Sequence, residues 1–266
     1  MTPKMNLNLE GKSALVCGST QGIGRAIAIE LAELGASVTL VARNMSKLRE
    51  VKESLTTDHK QTHQFIQADF SNPSELKSKI SEYLNENPSP QILINNTGGP
   101  AGGQIVDEPY AKFMDTMTAH LECNHLLVQA LVGGMKESGY GRIINIISTS
   151  VYIPIPGLGV SNTVRGAVAS WAKTLSLELG QFGITVNNVL PGFTDTVRLE
   201  GIVQAKAKKT GQTEEEVIAA MKMETPARRF GQAEETAAAA AFLASPAAGY
   251  INGVSIPVDG GRTGCI

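Results

Sequence analysis

Gly18, Gly22 and Gly24 stand together between a short apolar run, residues 13–17, and a stretch whose apolar residues recur with helical spacing. Glycines at a strand-to-helix turn let the backbone approach a pyrophosphate closely. The helix N-terminus then offers unpaired N–H groups and the positive end of its dipole. Gln21 and Ile23 lie between these glycines and share in the expected dinucleotide site. Arg43 follows a second apolar run, residues 37–42, where such a unit reads the adenosine ribose. An acidic side chain there would take the 2′-hydroxyl, whereas a guanidinium grips a 2′-phosphate in fork geometry. Ser19 could add a hydroxyl to the same phosphate, and together they favour NADP(H) over NAD(H). A surface arginine capping the strand end is the other reading of Arg43.

These groups need a scaffold, and the rest of the chain supplies one. Further strands are expected over residues 64–68, 91–94, 142–147, 184–190 and 254–258. Helices are expected over 46–55, 73–86, 109–136, 161–181 and 234–243, and residues 195–225 read as two charged helices over the site. Strict alternation of this kind predicts an α/β fold. It is a Rossmann-type doubly wound parallel sheet of about seven strands with helices on both faces, joined by right-handed crossovers. No Pro/Gly-rich linker divides the chain, so residues 1–266 read as one domain.

Composition narrows the class. The 266 residues are 42% hydrophobic and carry a net charge of −2, which gives no nucleic-acid footprint. Cys17, Cys123 and Cys265 are widely spaced and odd in number. They make neither a disulfide framework nor a metal-ligand pattern, which points to a reducing compartment. The first ten residues lack the apolar core of a signal peptide, and no apolar run approaches the roughly 18 residues of a membrane span. A cytoplasmic protein without metal, membrane or nucleic-acid partners is expected.

The glycine spacing, Gly-x-x-x-Gly-x-Gly, resembles that of the short-chain dehydrogenase/reductase superfamily, and the resemblance covers nearly the whole chain. It implies that Asp69, with Phe70 beside it, contacts the adenine; an acid leading the helix after Ser71 is the other reading. Asn95-Asn96-Thr97-Gly98 is similar to the superfamily's Asn-Asn-Ala-Gly, with Gly98 and Gly99 leaving room for the cofactor ribose. Pro191-Gly192 and Thr196 match Pro-Gly-x-x-x-Thr, whose threonine holds the nicotinamide carboxamide.

The superfamily's proton donor is a tyrosine with a lysine four residues on, assisted by a serine and an asparagine. Of the five tyrosines, Tyr83, Tyr110, Tyr140, Tyr152 and Tyr250, none has a lysine at that spacing. By resemblance Ser148 takes the serine position, Ser161 the tyrosine, Arg165 the lysine and His120 the asparagine. An aliphatic hydroxyl is a far weaker acid than a phenol, and arginine keeps its proton. Arg165 could still bond the nicotinamide ribose. His120, titrating near neutrality, could replace the missing acid, or it serves packing. Tyr152 is the remaining phenol within reach, more simply read as a loop aromatic.

Residues 161–165 and 226–231 resemble a divergent 3-oxoacyl-(acyl-carrier-protein) reductase-like subgroup. The expected function is an NADP(H)-dependent oxidoreductase acting on a carbonyl or alcohol, a small molecule or a 3-oxoacyl thioester. A cofactor-binding protein without redox turnover, acting as sensor or partner, is the alternative; dehydration in the same pocket is a third. The resemblance also implies a homotetramer, with Leu121, Leu126, Leu127, Ala130, Leu175 and Leu179 as candidate contacts and residues 254–266 as a second interface.

Overall fold

A computed structural model describes residues 5–264. Seven parallel strands form one sheet in the order β3-β2-β1-β4-β5-β6-β7. The strands are β1 (Ser13–Cys17), β2 (Ser37–Ala42), β3 (Gln64–Gln67), β4 (Ile92–Asn95), β5 (Gly141–Ile146), β6 (Ile184–Pro191) and β7 (Ser255–Val258). The chain winds outward from β1 in one direction and from β4 in the other. Their carboxyl ends therefore flank the switch point, where open parallel sheets bind ligands.

Helices α1 (Gly22–Glu33), α2 (Met45–Ser54) and α9 (Ala233–Ala244) cover one face. Ala26, Ala32, Ala237, Ala240 and Ala241 are small and buried there, which lets α1 and α9 approach closely. Helices α3 (Pro73–Glu86), α5 (Cys123–Ser138) and α6 (Gly159–Leu179) cover the other face. Leu127 and Leu179 point into that second core, so neither is free to meet another subunit. Cys17 and Cys123 are free and buried; Cys265, the end of the 254–266 segment and the first four residues lie outside the described residues.

One element departs from expectation in a way that bears on the site. The helix expected over 109–136 is α4 (Tyr110–Met117), a wide π turn (Thr118–Glu122) and then α5. A π turn inserts an extra residue into the helical repeat and is frequent at functional sites. Here it carries His120 inward. Beyond α6 and β6, helices α7 (Val197–Thr210) and α8 (Glu214–Met223) form the 195–225 segment, with a small core of Leu199, Val203, Val217 and Met221.

A polar ladder fixes register across one half of the sheet. Asn95 pairs with Asn145, Asn145 with Asn188, and Asn188 with Ser255 in adjacent strands. Their side chains bond in sequence: Asn95 Nδ2 donates to Asn145 Oδ1 at 2.8 Å, and Asn145 Nδ2 to Asn188 Oδ1 at 2.9 Å. Asn188 Nδ2 then donates to Ser255 Oγ at 3.0 Å. Slipping any strand by one residue would turn its amide to the opposite face.

Candidate active site

A cleft of about 670 Å³ runs along the carboxyl ends of the strands, with Arg43 and Asp69 at one end and Ser148 and Ser161 among its other lining residues. Its floor is the glycine turn. Gly18 takes φ +60°, and a Cβ there would lie 2.6 Å from the Asn96 carbonyl oxygen. A Cβ on Gly24 would collide with the Gly18 carbonyl, so Gly24 packs the helix on the strand and does not line the cleft. Asn96 Nδ2 ties the loop after β4 to this turn through the Cys17 and Gly18 carbonyls, each at 3.3 Å.

Helix α1 begins at this turn without a side-chain cap from Gln21 and without an acidic residue in its first turn. Its first N–H groups and its dipole are thus left for an anion. Gln21, Gly22 and Ile23 line the cleft there. Thr196, which opens α7, closes over them: its Cγ2 would be 3.2 Å from a Cβ on Gly22. At the end of β6, Pro191 and Gly192 line the same space, and a Cβ on Gly192 would stand 2.7 Å from Asp259.

Besides Gly24, two further expected cofactor residues are placed elsewhere. Ser19 is fully buried, and its hydroxyl donates to the Val41 carbonyl at 3.4 Å, so Thr20 faces the cleft instead. Asn95 is held in the asparagine ladder within the sheet, and Asn96 is the one that reaches the cleft. Gly98, Asp69 and Phe70 line it.

At the outer end Arg43 is 77% exposed, with Nη1 3.8 Å from Asp69 Oδ2. Asp69 accepts the Ser71 N–H at 2.9 Å. That bond first, and Arg43 after it, hold the carboxyl below its ordinary value. Lys47 lines this end as well. Sequence reasoning passed over it, although it lies one helical turn beyond Arg43.

At the inner end β5 releases the chain into Ser148, which opens a short turn, Thr149–Val151. Ser161 and Arg165 sit one turn apart on α6, and both line the cleft. Arg165 is buried, with Nη1 donating to the Ile146 carbonyl at 2.7 Å and Nη2 to that of Thr97 at 3.4 Å. Burial, and then the charge of Arg198, bring its pKa down to about 10, so it remains a cation at neutral pH. Arg198, near the start of α7, donates through Nη2 to the Pro100 carbonyl at 2.6 Å. It too escaped the sequence reading, because a helix-surface arginine carries no local mark of what it faces.

Of the two readings given for His120 and for Tyr152, the geometry favours packing for the first and a loop aromatic for the second. His120 is 3% exposed, does not line the cleft, and its Nε2 has no partner. Burial, reinforced by Arg165, drives its pKa to about 2, so it is neutral at any working pH and is no general acid. Tyr152 turns away: its hydroxyl donates to the Ser255 carbonyl at 2.8 Å, and it is absent from the cleft wall. Among the described residues the cleft is lined by five cations, Arg43, Lys47, Arg165, Arg198 and Arg262, and one carboxylate, Asp69, at the far end. Among the described residues no histidine, tyrosine, cysteine or glutamate lines it.

Comparison with known proteins accounts for this architecture. The sequence family described as enoyl-(acyl carrier protein) reductase matches residues 18–263. The chain belongs to the short-chain dehydrogenase/reductase superfamily. It is 32% identical to the 3-oxoacyl-[acyl-carrier-protein] reductase FabG of Pseudomonas aeruginosa, over 96% of this chain and 98% of that one. It is 30% identical to a D-beta-hydroxybutyrate dehydrogenase of Rhizobium meliloti, over 95% and 98%. The L-sorbose reductase of Gluconobacter frateurii, solved with NADPH and L-sorbose, superposes with a TM-score of 0.91 at 28% identity, covering 98% of this chain and 100% of that one.

Short-chain dehydrogenase/reductases use a nicotinamide dinucleotide, and the residues here fit one. The uncapped start of α1, the glycine cradle that side chains would fill, and the cations at the outer end are the features such a ligand needs.

Proposed function

We propose that this chain is an NADP(H)-dependent oxidoreductase acting on a carbonyl or alcohol, in which Ser148 holds the reacting oxygen and water supplies the proton. The observation that carries the reading is the state of Ser148: its Oγ accepts the Ser150 N–H at 3.1 Å, so its own O–H is left to donate into the cleft. NADPH, when bound, supplies the hydride. Gly18, Gly22 and the start of α1 receive the pyrophosphate, and Thr196 orients the carboxamide. Arg43 and Lys47 favour the 2′-phosphate form, in keeping with the NADPH held by the sorbose reductase. Arg165 keeps a fixed positive field beside the reacting centre, which stabilises an oxygen gaining negative charge.

The proton cannot come from Ser161, whose hydroxyl is too weak an acid, nor from arginine. It enters from solvent through the open cleft. A 3-oxoacyl thioester is among the substrates this reading admits, supported by the similarity to the Pseudomonas reductase. We place the protein in the cytoplasm as a homotetramer. Ala130 and Leu177, the latter 74% exposed, lie on the outer sides of α5 and α6.

The test is NADPH oxidation by the purified protein over a panel of ketones, oxo acids and 3-oxoacyl thioesters, followed at the nicotinamide absorbance band. Turnover on a member of the panel, with kcat level from about pH 6 to 9 because no histidine, cysteine or tyrosine among the described residues lines the cleft, is expected. NADPH binding without turnover on any member would instead favour a binding protein.

A further inference from the structure

Two guanidinium groups converge on Gly99. A Cβ on Gly99 would stand 3.4 Å from Arg198 Nη2 and 3.7 Å from Arg165 Nη2. The two arginines come from different elements, Arg165 from α6 and Arg198 from α7. Both guanidinium groups thus lie within van der Waals reach of the same backbone position, and both line the cleft.

Neither arginine is partnered by charge. Among the described residues, neither lies within ion-pair distance of a carboxylate, although seven other such pairs form in the chain. Their hydrogen bonds go to the neutral carbonyls of Ile146, Thr97 and Pro100. Arg165 is buried, and its Nε has no partner at all. A buried cation is ordinarily paired, and bringing a second one beside it adds repulsion. Burial and Arg198 together already lower the Arg165 pKa to about 10. Such an arrangement is completed by an oxyanion, which a planar fork from each side grips with geometric selectivity.

We propose that the substrate of this site carries a carboxylate, held across Gly99 by Arg165 and Arg198, with its reacting carbon presented to Ser148. The dinucleotide phosphates are the other oxyanions entering the cleft, but the uncapped N-terminus of α1 offers the pyrophosphate a separate seat, and Arg43 with Lys47 offers one to the 2′-phosphate. The proposal rests on the oxidoreductase reading only for what happens after binding.

The experiment measures binding without turnover. Protein saturated with NADP+ is titrated calorimetrically with acetoacetate and pyruvate, and with the methyl ester of each. Separately, NADPH affinity is measured by fluorescence. In the wild type at least one acid should bind tenfold or more tighter than its ester. Arg198→Gln should remove that preference and change NADPH affinity less than twofold, and Arg198→Lys should restore part of it. Equal binding of acid and ester in the wild type overturns the proposal. So does a tenfold loss of NADPH affinity in Arg198→Gln with the acid preference intact, which would assign the arginines to the dinucleotide. Acid-selective binding without turnover of either acid supports the anion site and counts against the oxidoreductase reading alone.

Discussion

Ser148 and Ser150 are joined so that the first is left as a donor: the Ser150 N–H at 3.1 Å occupies a lone pair of Ser148 Oγ and leaves its proton uncommitted. Removing one donor to a developing oxyanion costs about 10²–10³ in turnover in a well-formed site. Ser148→Ala should therefore lower kcat at least tenfold at saturating NADPH. Ser161→Ala should change it less than threefold, by the weak acidity of an unactivated hydroxyl. Steady-state rates of the three proteins on one accepted substrate check this, and full activity in Ser148→Ala would remove the assignment.

Arg43 and Lys47 set cofactor choice. A charge-assisted contact contributes about 1.5–3 kcal/mol, or roughly tenfold to a hundredfold in affinity. Arg43→Ala should weaken NADPH by about that factor and leave NADH nearly unchanged, with Lys47→Ala a smaller step in the same direction. Dissociation constants for both nucleotides decide the matter. A wild type that binds them equally contradicts the idea.

His120 makes stability depend on acidity. Its folded pKa is about 2 against an ordinary value of 6.5, so the unfolded chain takes up a proton that the folded one refuses. The stabilisation is fully present above pH 6.5 and is lost progressively as pH falls below it. At pH 5 the loss from this group alone is about 2 kcal/mol. Urea unfolding of wild type and His120→Asn at pH 7.5 and pH 5 should show a smaller difference between the two pH values in the variant. Identical differences would mean that His120 takes up its proton as readily in the folded protein as in the unfolded chain.

Asn145 stands in the middle of the ladder, donating to Asn188 and accepting from Asn95. Asn145→Ala strands two buried amides. At about 1–3 kcal/mol for each unsatisfied group it should be among the more damaging single changes in the sheet. Replacing Ser255 by Ala removes only the last, less enclosed bond and should cost less. Chemical denaturation of the two variants ranks them.

Much of the fold was legible in the chain because apolar runs such as Ser13–Cys17 and Ile184–Pro191 are short and bracketed by glycines or turns. The π turn was not, since a single extra residue leaves the local helical pattern of 109–136 intact. The glycines of the dinucleotide turn announced themselves by spacing. Ser19 did not reveal that its hydroxyl turns inward, because one residue's direction at a tight turn depends on the neighbouring strand. His120 was readable both as a titrating residue and as a packing one, and the choice rests on burial and the nearness of Arg165, which are products of tertiary packing. Lys47, Arg198 and the convergence on Gly99 come from elements distant in sequence, and no local pattern carries that information.

The placement of charge has a consequence for encounter. The chain as a whole is slightly acidic at −2, yet among the described residues five cations and a single carboxylate line its cleft. A multiply charged nucleotide diffusing nearby meets repulsion over most of the surface and attraction at one mouth, so field lines funnel it toward the strand ends. Such capture decays with the Debye length, about 10 Å at 0.1 M salt. Added salt should therefore slow nucleotide association far more than it hastens release, a kinetic asymmetry written into the distribution of arginines.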